Sequence, residues 1–198
     1  MTELAAALRA AIARPGAPSS DFDLNPAAQR PENVKLRDAG VLIAIDLTGA
    51  DPRVLLTKRA SGLQHHPGQI AFPGGKVEPT DADVTAAALR EAREEIGLPE
   101  TLPEVIGCMP AHETVTGFRV TPVLAVVREP FQLMPDPGEV GEVFRTPLAH
   151  LMDPGNYLIE SRRWRGMKRR YFVVPWGPYY IWGATARMLR ALAAQMQP

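Results

Sequence analysis

Apolar positions recur along this chain at helical spacing near its two ends and in short β-like runs between them. Leu4, Leu8 and Ile12 predict a short amphipathic helix that Pro15 interrupts. Residues 16–33 are rich in Pro, Ser, Asp and Asn and read as an extended linker. Residues 39–47 (AGVLIAIDL) and 53–58 (RVLLTK) are β-like, and the Gly49-Ala50-Asp51-Pro52 turn between them predicts a hairpin. Residues 69–72 form a short strand into the Pro73-Gly74-Gly75 corner. A helix follows from about Ala82 to Ile96, opened by Thr80 and Asp83 at capping-box spacing and stopped by Gly97. Strands are predicted over 105–112, 119–127, 142–147 and 171–174, with a helical turn over 148–152. In the tail, residues 181–195, Trp182, Thr185, Leu189, Leu192 and Met196 keep helical spacing and predict a helix packed on the core. The order implies a mixed sheet between helices. We divide the chain into an N-terminal helix and linker (1–34) and one domain (35–198).

Composition narrows the function. Of the 198 residues, 45% are hydrophobic and 22% charged, ordinary for a globular protein. Twenty-two basic residues balance 22 acidic ones, which argues against a general nucleic-acid binder. No run approaches the roughly 18 apolar residues of a membrane span, so no membrane role is expected and a cytoplasmic protein is. One cysteine, Cys108, excludes an intrachain disulfide and a Cys-based zinc site, and fits a reducing compartment. The N-terminal helix and linker are a candidate homodimer contact.

The chemistry concentrates in residues 74–98, GGKVEPTDADVTAAALREAREEIGL. Glu91, Glu94 and Glu95 lie three and four residues apart, so a helix sets Glu91 beside both others on one face. Like charges so placed repel, and a hard divalent cation with oxygen ligands, such as Mg²⁺, relieves the cost. Gly74 and Gly75 sit where the chain must turn and approach a ligand closely, which glycine does without strain. No Gly-Lys-Ser/Thr follows them, so this is not a P-loop.

The segment resembles the Nudix box: Gly, five residues, Glu, seven residues, then Arg-Glu-aliphatic-x-Glu-Glu-x-Gly-aliphatic. Counted from Gly75, Asp81 stands where the box has Glu, and eight residues rather than seven separate it from Arg90. Both departures, with the upstream stretch LLTKRASGLQHHPGQIAFPGG (55–75), are similar to the coenzyme A pyrophosphatase branch of that family. The resemblance implies an α/β/α sandwich with a mixed sheet and a metal-dependent hydrolase of a diphosphate. It implies Mg²⁺ or Mn²⁺ on Glu91 and Glu95, Glu94 as a third ligand or the base, and Arg90 orienting the glutamates. Coenzyme A or an acyl-coenzyme A is the implied small-molecule substrate. ADP-ribose, NADH, a dinucleoside polyphosphate or an oxidised nucleotide are alternatives that the helix chemistry does not separate. A non-catalytic ligand sensor is disfavoured, because all three glutamates are present and about 35 N-terminal residues are too few for a winged helix.

Other residues carry two readings each. Asp81 is a helix N-cap, the family's acidic position, or both. Glu142, with Glu139 in PGEVGEVF, supplies a base or an extra metal ligand, or is a surface carboxylate; Glu113 is a weaker candidate of the same type. Lys58 and Arg59 compete with the basic stretch 162–170 for a substrate phosphate, with solvation as the other reading of that stretch. His65 and His66 are substrate-proximal or exposed, Arg93 is solvated, and His112 and His150 carry no motif.

Overall fold

The computed structural model describes residues 2–26, 28, 35–164 and 166–197; Arg165 of the basic stretch and much of the linker lie outside them. In chain order the elements are α1 (Thr2–Ala13), β1 (Ser19–Ser20), β2 (Arg37–Asp46), β3 (Arg53–Arg59), β4 (Ile70–Ala71) and β5 (Gly74–Lys76). Helix α2 (Val84–Ile96) follows, then β6 (Pro103–Cys108), β7 (His112–Glu113), β8 (Phe118–Val127) and β9 (Val140–Pro147). The chain closes with α3 (Leu148–Met152), a 3₁₀ turn (Pro154–Asn156), β10 (Leu158–Trp164), β11 (Met167–Val173) and α4 (Ala184–Met196).

The centre of the sheet is β2, parallel to β8 from Arg37↔Phe118 to Asp46↔Val127 and antiparallel to β3 at Ile45↔Val54. Its successive side chains serve opposite faces. Leu42 and Ala44 meet Ala88, Ala92 and Ile96 of α2, while Ile43 and Ile45 join Leu8, Leu189 and Leu192 on the other side. Burial on both faces explains why the run VLIAI shows no polar alternation. Nine strands among the described residues form this mixed sheet, with α2 on one face and α1, α3 and α4 on the other: an α/β/α sandwich.

Several expectations change in detail. Helix α2 starts at Val84, because Asp83 is the N-cap: its backbone is extended and its Oδ1 accepts the Ala86 N–H at 2.8 Å. Neither Thr80 nor Asp81 caps it. Gly97 ends it in the left-handed conformation, φ 72°, as expected. Gly74-Gly75 is not a bare corner but the start of β5, laid antiparallel on β2. The expected strand over 105–112 is split into β6 and β7.

The linker is also more ordered than its composition suggests. Ser19 and Ser20 pair in parallel with His112 and Glu113, and buried His112 bridges Ser19 Oγ (2.9 Å) and Asp21 Oδ1 (3.1 Å). Asn25 then accepts the Arg170 N–H (2.7 Å) and donates to the Arg170 carbonyl (2.9 Å). The apolar stripe of α1 packs on α4 and β6, so the helix offered as a dimer contact is used within the chain. Finally, β10 was not expected; it forms a separate antiparallel ribbon with β11.

Candidate active site

Small side chains let α2 lie close to the sheet, which brings its carboxylates against β5. Glu95 is 5% exposed, and its Oε2 accepts the Gly74 N–H at 3.3 Å. Burial, then the negative charge of Glu91, pushes its pKa up to about 8; the Gly74 N–H and the Arg59 charge act the other way. Glu91 is also raised, chiefly by burial, with Arg90 opposing and the charges of Glu94 and Glu139 adding to the rise.

The two glycines do different jobs. Gly74 has φ 153°, and a Cβ there would stand 2.4 Å from the Gly40 carbonyl oxygen on β2. Gly75 is needed for space: a Cβ would stand 2.4 Å from the Glu91 carboxyl carbon. The space a side-chain carbon would take at Gly75 thus becomes the recess that holds the Glu91 carboxylate.

Arg90 organises one side of the cluster. It reaches Asp81 through two bonds (2.9 and 3.1 Å), Glu94 Oε2 at 2.9 Å, Glu91 Oε1 at 3.1 Å and the Lys76 carbonyl at 3.2 Å. The guanidinium holds the Asp81 carboxyl below its usual range, and Asp81 in turn is the main reason Arg90 stays firmly protonated. Asp81 therefore sits in the acidic position as the anchor of Arg90. Glu94 is turned outward, 49% exposed, with its oxygens on Arg90 and Arg93; Arg93 also pairs with Glu100.

Of the second acidic pair, Glu142 accepts a hydrogen bond from the Tyr179 hydroxyl, and Tyr179 stacks on Phe144 at 3.6 Å between ring centroids. Glu139 is the member whose charge acts on both Glu91 and Glu95. Nothing in the spacing of PGEVGEVF separates the two. Glu113 lies in β7 opposite Arg119.

Beyond Gly74 opens a cavity of about 320 Å³. Arg59, His66, Gln69, Ala71, Phe72 and Gly74, all from the stretch 55–75, line one side of it. Arg162, Arg169, Arg170 and Trp182 close another side, and Asp21 and Asn25 come from the N-terminal segment. Arg59 connects the two regions, since its charge is felt by both Glu95 and His66. Lys58 is exposed and pairs in the ladder with Ile70 and Glu142, away from the cavity lining; His65 is exposed and also outside it.

A family model of the NUDIX domain matches residues 36–164. The chain belongs to the Nudix family. A relative from Salmonella paratyphi B, named "Uncharacterized Nudix hydrolase NudL", is 42% identical over 165 residues, 83% of this chain and 85% of that protein. The protein of the same name from Salmonella enteritidis PT4 matches to the same extent. Among solved structures, a MutT/nudix family protein from Enterococcus faecalis superposes with a TM-score of 0.50 at 16% identity, over 84% of this chain and 64% of that one; this is a likeness of fold. This chain is a Nudix hydrolase.

Nudix hydrolases generally use divalent metal cations, and the residues here fit one. Two carboxylates, Glu91 and Glu95, repel each other beside a recess that Gly75 keeps open, and both offer the oxygen donors a hard cation takes. Among the described residues no three acidic or metal-ligating side chains are gathered around one point, because Glu94 is turned to its arginines. Glu91 and Glu95 are the pair that would hold the cation. No described helix is long and apolar enough to cross a membrane.

Proposed function

We propose that this Nudix hydrolase cleaves the diphosphate of coenzyme A or an acyl-coenzyme A, releasing 3′,5′-ADP and (acyl-)4′-phosphopantetheine. One observation carries the reading. The residues of the coenzyme A-branch signature, from Arg59 to Gly74, wall an arginine-rich cavity that meets the carboxylate site at Gly74. A substrate with a diphosphate at Glu91 and Glu95 and a further anionic portion beyond it matches that layout.

In this reading Mg²⁺ or Mn²⁺ on Glu91 and Glu95 neutralises diphosphate charge when bound. Arg90, fixed by Asp81, keeps Glu91 aimed into the recess beside Gly75, and Arg59 meets the substrate between the two regions. A water oxygen attacks one phosphorus, the bridging P–O bond breaks, and a carboxylate takes the water's proton. In this reading Glu139 is that base, because its charge acts on both Glu91 and Glu95 and it has no ion pair among the described residues. Glu94 is the rival, as base or third ligand, once it leaves Arg90; Glu142 must first give up Tyr179. Gly74 lines the passage to the cavity, its N–H given to Glu95. A cytoplasmic setting belongs to the same reading, with a lone, exposed Cys108.

Incubation with coenzyme A in heavy-oxygen water, followed by mass analysis, tests substrate and cleavage together. The reading expects 3′,5′-ADP and 4′-phosphopantetheine with the label in one of them. Intact coenzyme A beside rapid cleavage of ADP-ribose, NADH or a dinucleoside polyphosphate at equal concentration overturns it.

A further inference from the structure

The ribbon β10–β11 contributes little to the core, yet it brings two arginines together. In its register Arg162 stands directly opposite Arg169, and both line the cavity beyond Gly74. Like charges placed directly across two strands destabilise the pair. Each is instead held on an aromatic face: Arg162 lies 4.1 Å from the Trp182 ring centroid, and Arg169 lies 5.6 Å from that of Phe22. Arg162 has no ion pair among the described residues, and Asp21, the one carboxylate lining the cavity, is engaged with His112 and the Val115 N–H.

The surroundings are built to hold this arrangement. Asn25 fixes the ribbon by bonding both backbone groups of Arg170, so the register that opposes Arg162 to Arg169 is locked from the N-terminal segment. Across the cavity, the charges of Arg59 and Arg162 both act on His66, lowering its pKa after burial has done so. His66 is the non-glycine residue with positive φ, 55°, among those described, a conformation that such residues adopt uncommonly and that clusters at ligand sites. Arginines converging on one cavity suit a phosphate dianion, which their planar forks bind through paired hydrogen bonds.

We propose that Arg162 and Arg169 form a clamp for a phosphomonoester of the substrate, separate from the diphosphate that is cleaved. The proposal rests on the coenzyme A reading for the identity of that group, the 3′-phosphate, and on the geometry alone for its chemistry. The clamp acts through binding, so it makes the enzyme prefer a substrate that carries the extra phosphate.

Two measurements test it. Wild-type protein should hydrolyse coenzyme A with a lower KM than 3′-dephospho-coenzyme A, by about 10- to 100-fold. Arg162→Gln and Arg169→Gln should erase that difference by raising KM for coenzyme A alone. Arg163→Gln, on the opposite face of β10, should leave it in place. Calorimetric titration with 3′,5′-ADP and with 5′-AMP, in protein with Mg²⁺, reads the clamp without turnover: the bisphosphate should bind more tightly, and only in protein that keeps both arginines. Tighter binding of 3′,5′-ADP through Arg162, with coenzyme A left intact, supports the clamp and refutes the substrate reading. Cleavage of both thiols at equal KM refutes the clamp and leaves the substrate reading standing. Equal loss on both substrates in the Gln variants, or no loss on either, also overturns the clamp.

Discussion

Replacing Glu95 by Gln should stabilise the metal-free protein at alkaline pH, and the size of the effect can be worked from the site. Burial beside Glu91 favours the neutral carboxyl, so the folded chain keeps a proton that the unfolded chain releases. Stability from this group is therefore complete below its ordinary pKa of 4.5, falls as pH rises through about 8, and levels off beyond. At about 1.4 kcal/mol per pH unit, the interval between those two values amounts to roughly 5 kcal/mol at pH 9. That is a large part of the 5–15 kcal/mol that holds a typical domain together. Glutamine keeps an acceptor for the Gly74 N–H and carries no charge, so Glu95→Gln lacks this slope. Urea unfolding in EDTA at pH 5, 7 and 9 should show the variant gaining on the wild type as pH rises. Magnesium should restore the wild type at pH 9 and do much less for the variant at the same concentration. Parallel pH profiles in EDTA would refute the reasoning, because they would mean that Glu95 is not a buried, electrostatically opposed carboxylate.

Other outcomes follow from the same geometry. Arg90→Gln frees Glu91 and Glu94 and strands Asp81, and should lower kcat about 100-fold with the fold intact by circular dichroism. Gly75→Ala places a methyl group on the Glu91 carboxylate and should reduce kcat by a similar order while leaving the melting temperature within a few degrees. Glu139→Gln should cost 10²- to 10⁴-fold in kcat, as loss of a base does, and Glu142→Gln and Glu94→Gln should each cost less; the reverse ranking in one steady-state comparison moves the base elsewhere. Asn25→Ala removes both bonds to Arg170 and should destabilise the fold by about 1–3 kcal/mol in urea titrations.

The sequence was most legible where one local rule met no competitor. The continuous apolar run over β2, α2 with its Gly97 stop, and the helical spacing of the terminal helix were legible from local signals, because each element buries a continuous apolar surface. The docking of residues 19–25 was not legible. It depends on Ser19, Asp21 and Asn25 meeting His112 and Arg170 far along the chain, and polar pairing across such distances leaves no periodic trace. Strand β10 was missed for a related reason: residues 158–163 are exposed, and the strand is ordered by backbone pairing with β11. At the site, the spacing of Glu91, Glu94 and Glu95 placed them on one helix face, but their directions depend on partners outside the helix. Gly75 and burial draw Glu91 and Glu95 inward, while Arg90 and Arg93 draw Glu94 out. What distinguishes Glu142 from Glu139 likewise lies outside the motif, in Tyr179 some forty residues downstream, whose hydroxyl bonds Glu142.

That Glu91 and Glu95 hold the catalytic cation is tested most directly by titrating Mn²⁺ into wild-type, Glu91→Gln and Glu95→Gln protein and following free ion by electron paramagnetic resonance. Saturable binding in the wild type, weakened about 10- to 100-fold or more in each variant, is the expected result. Unchanged Mn²⁺ affinity in both variants would contradict it.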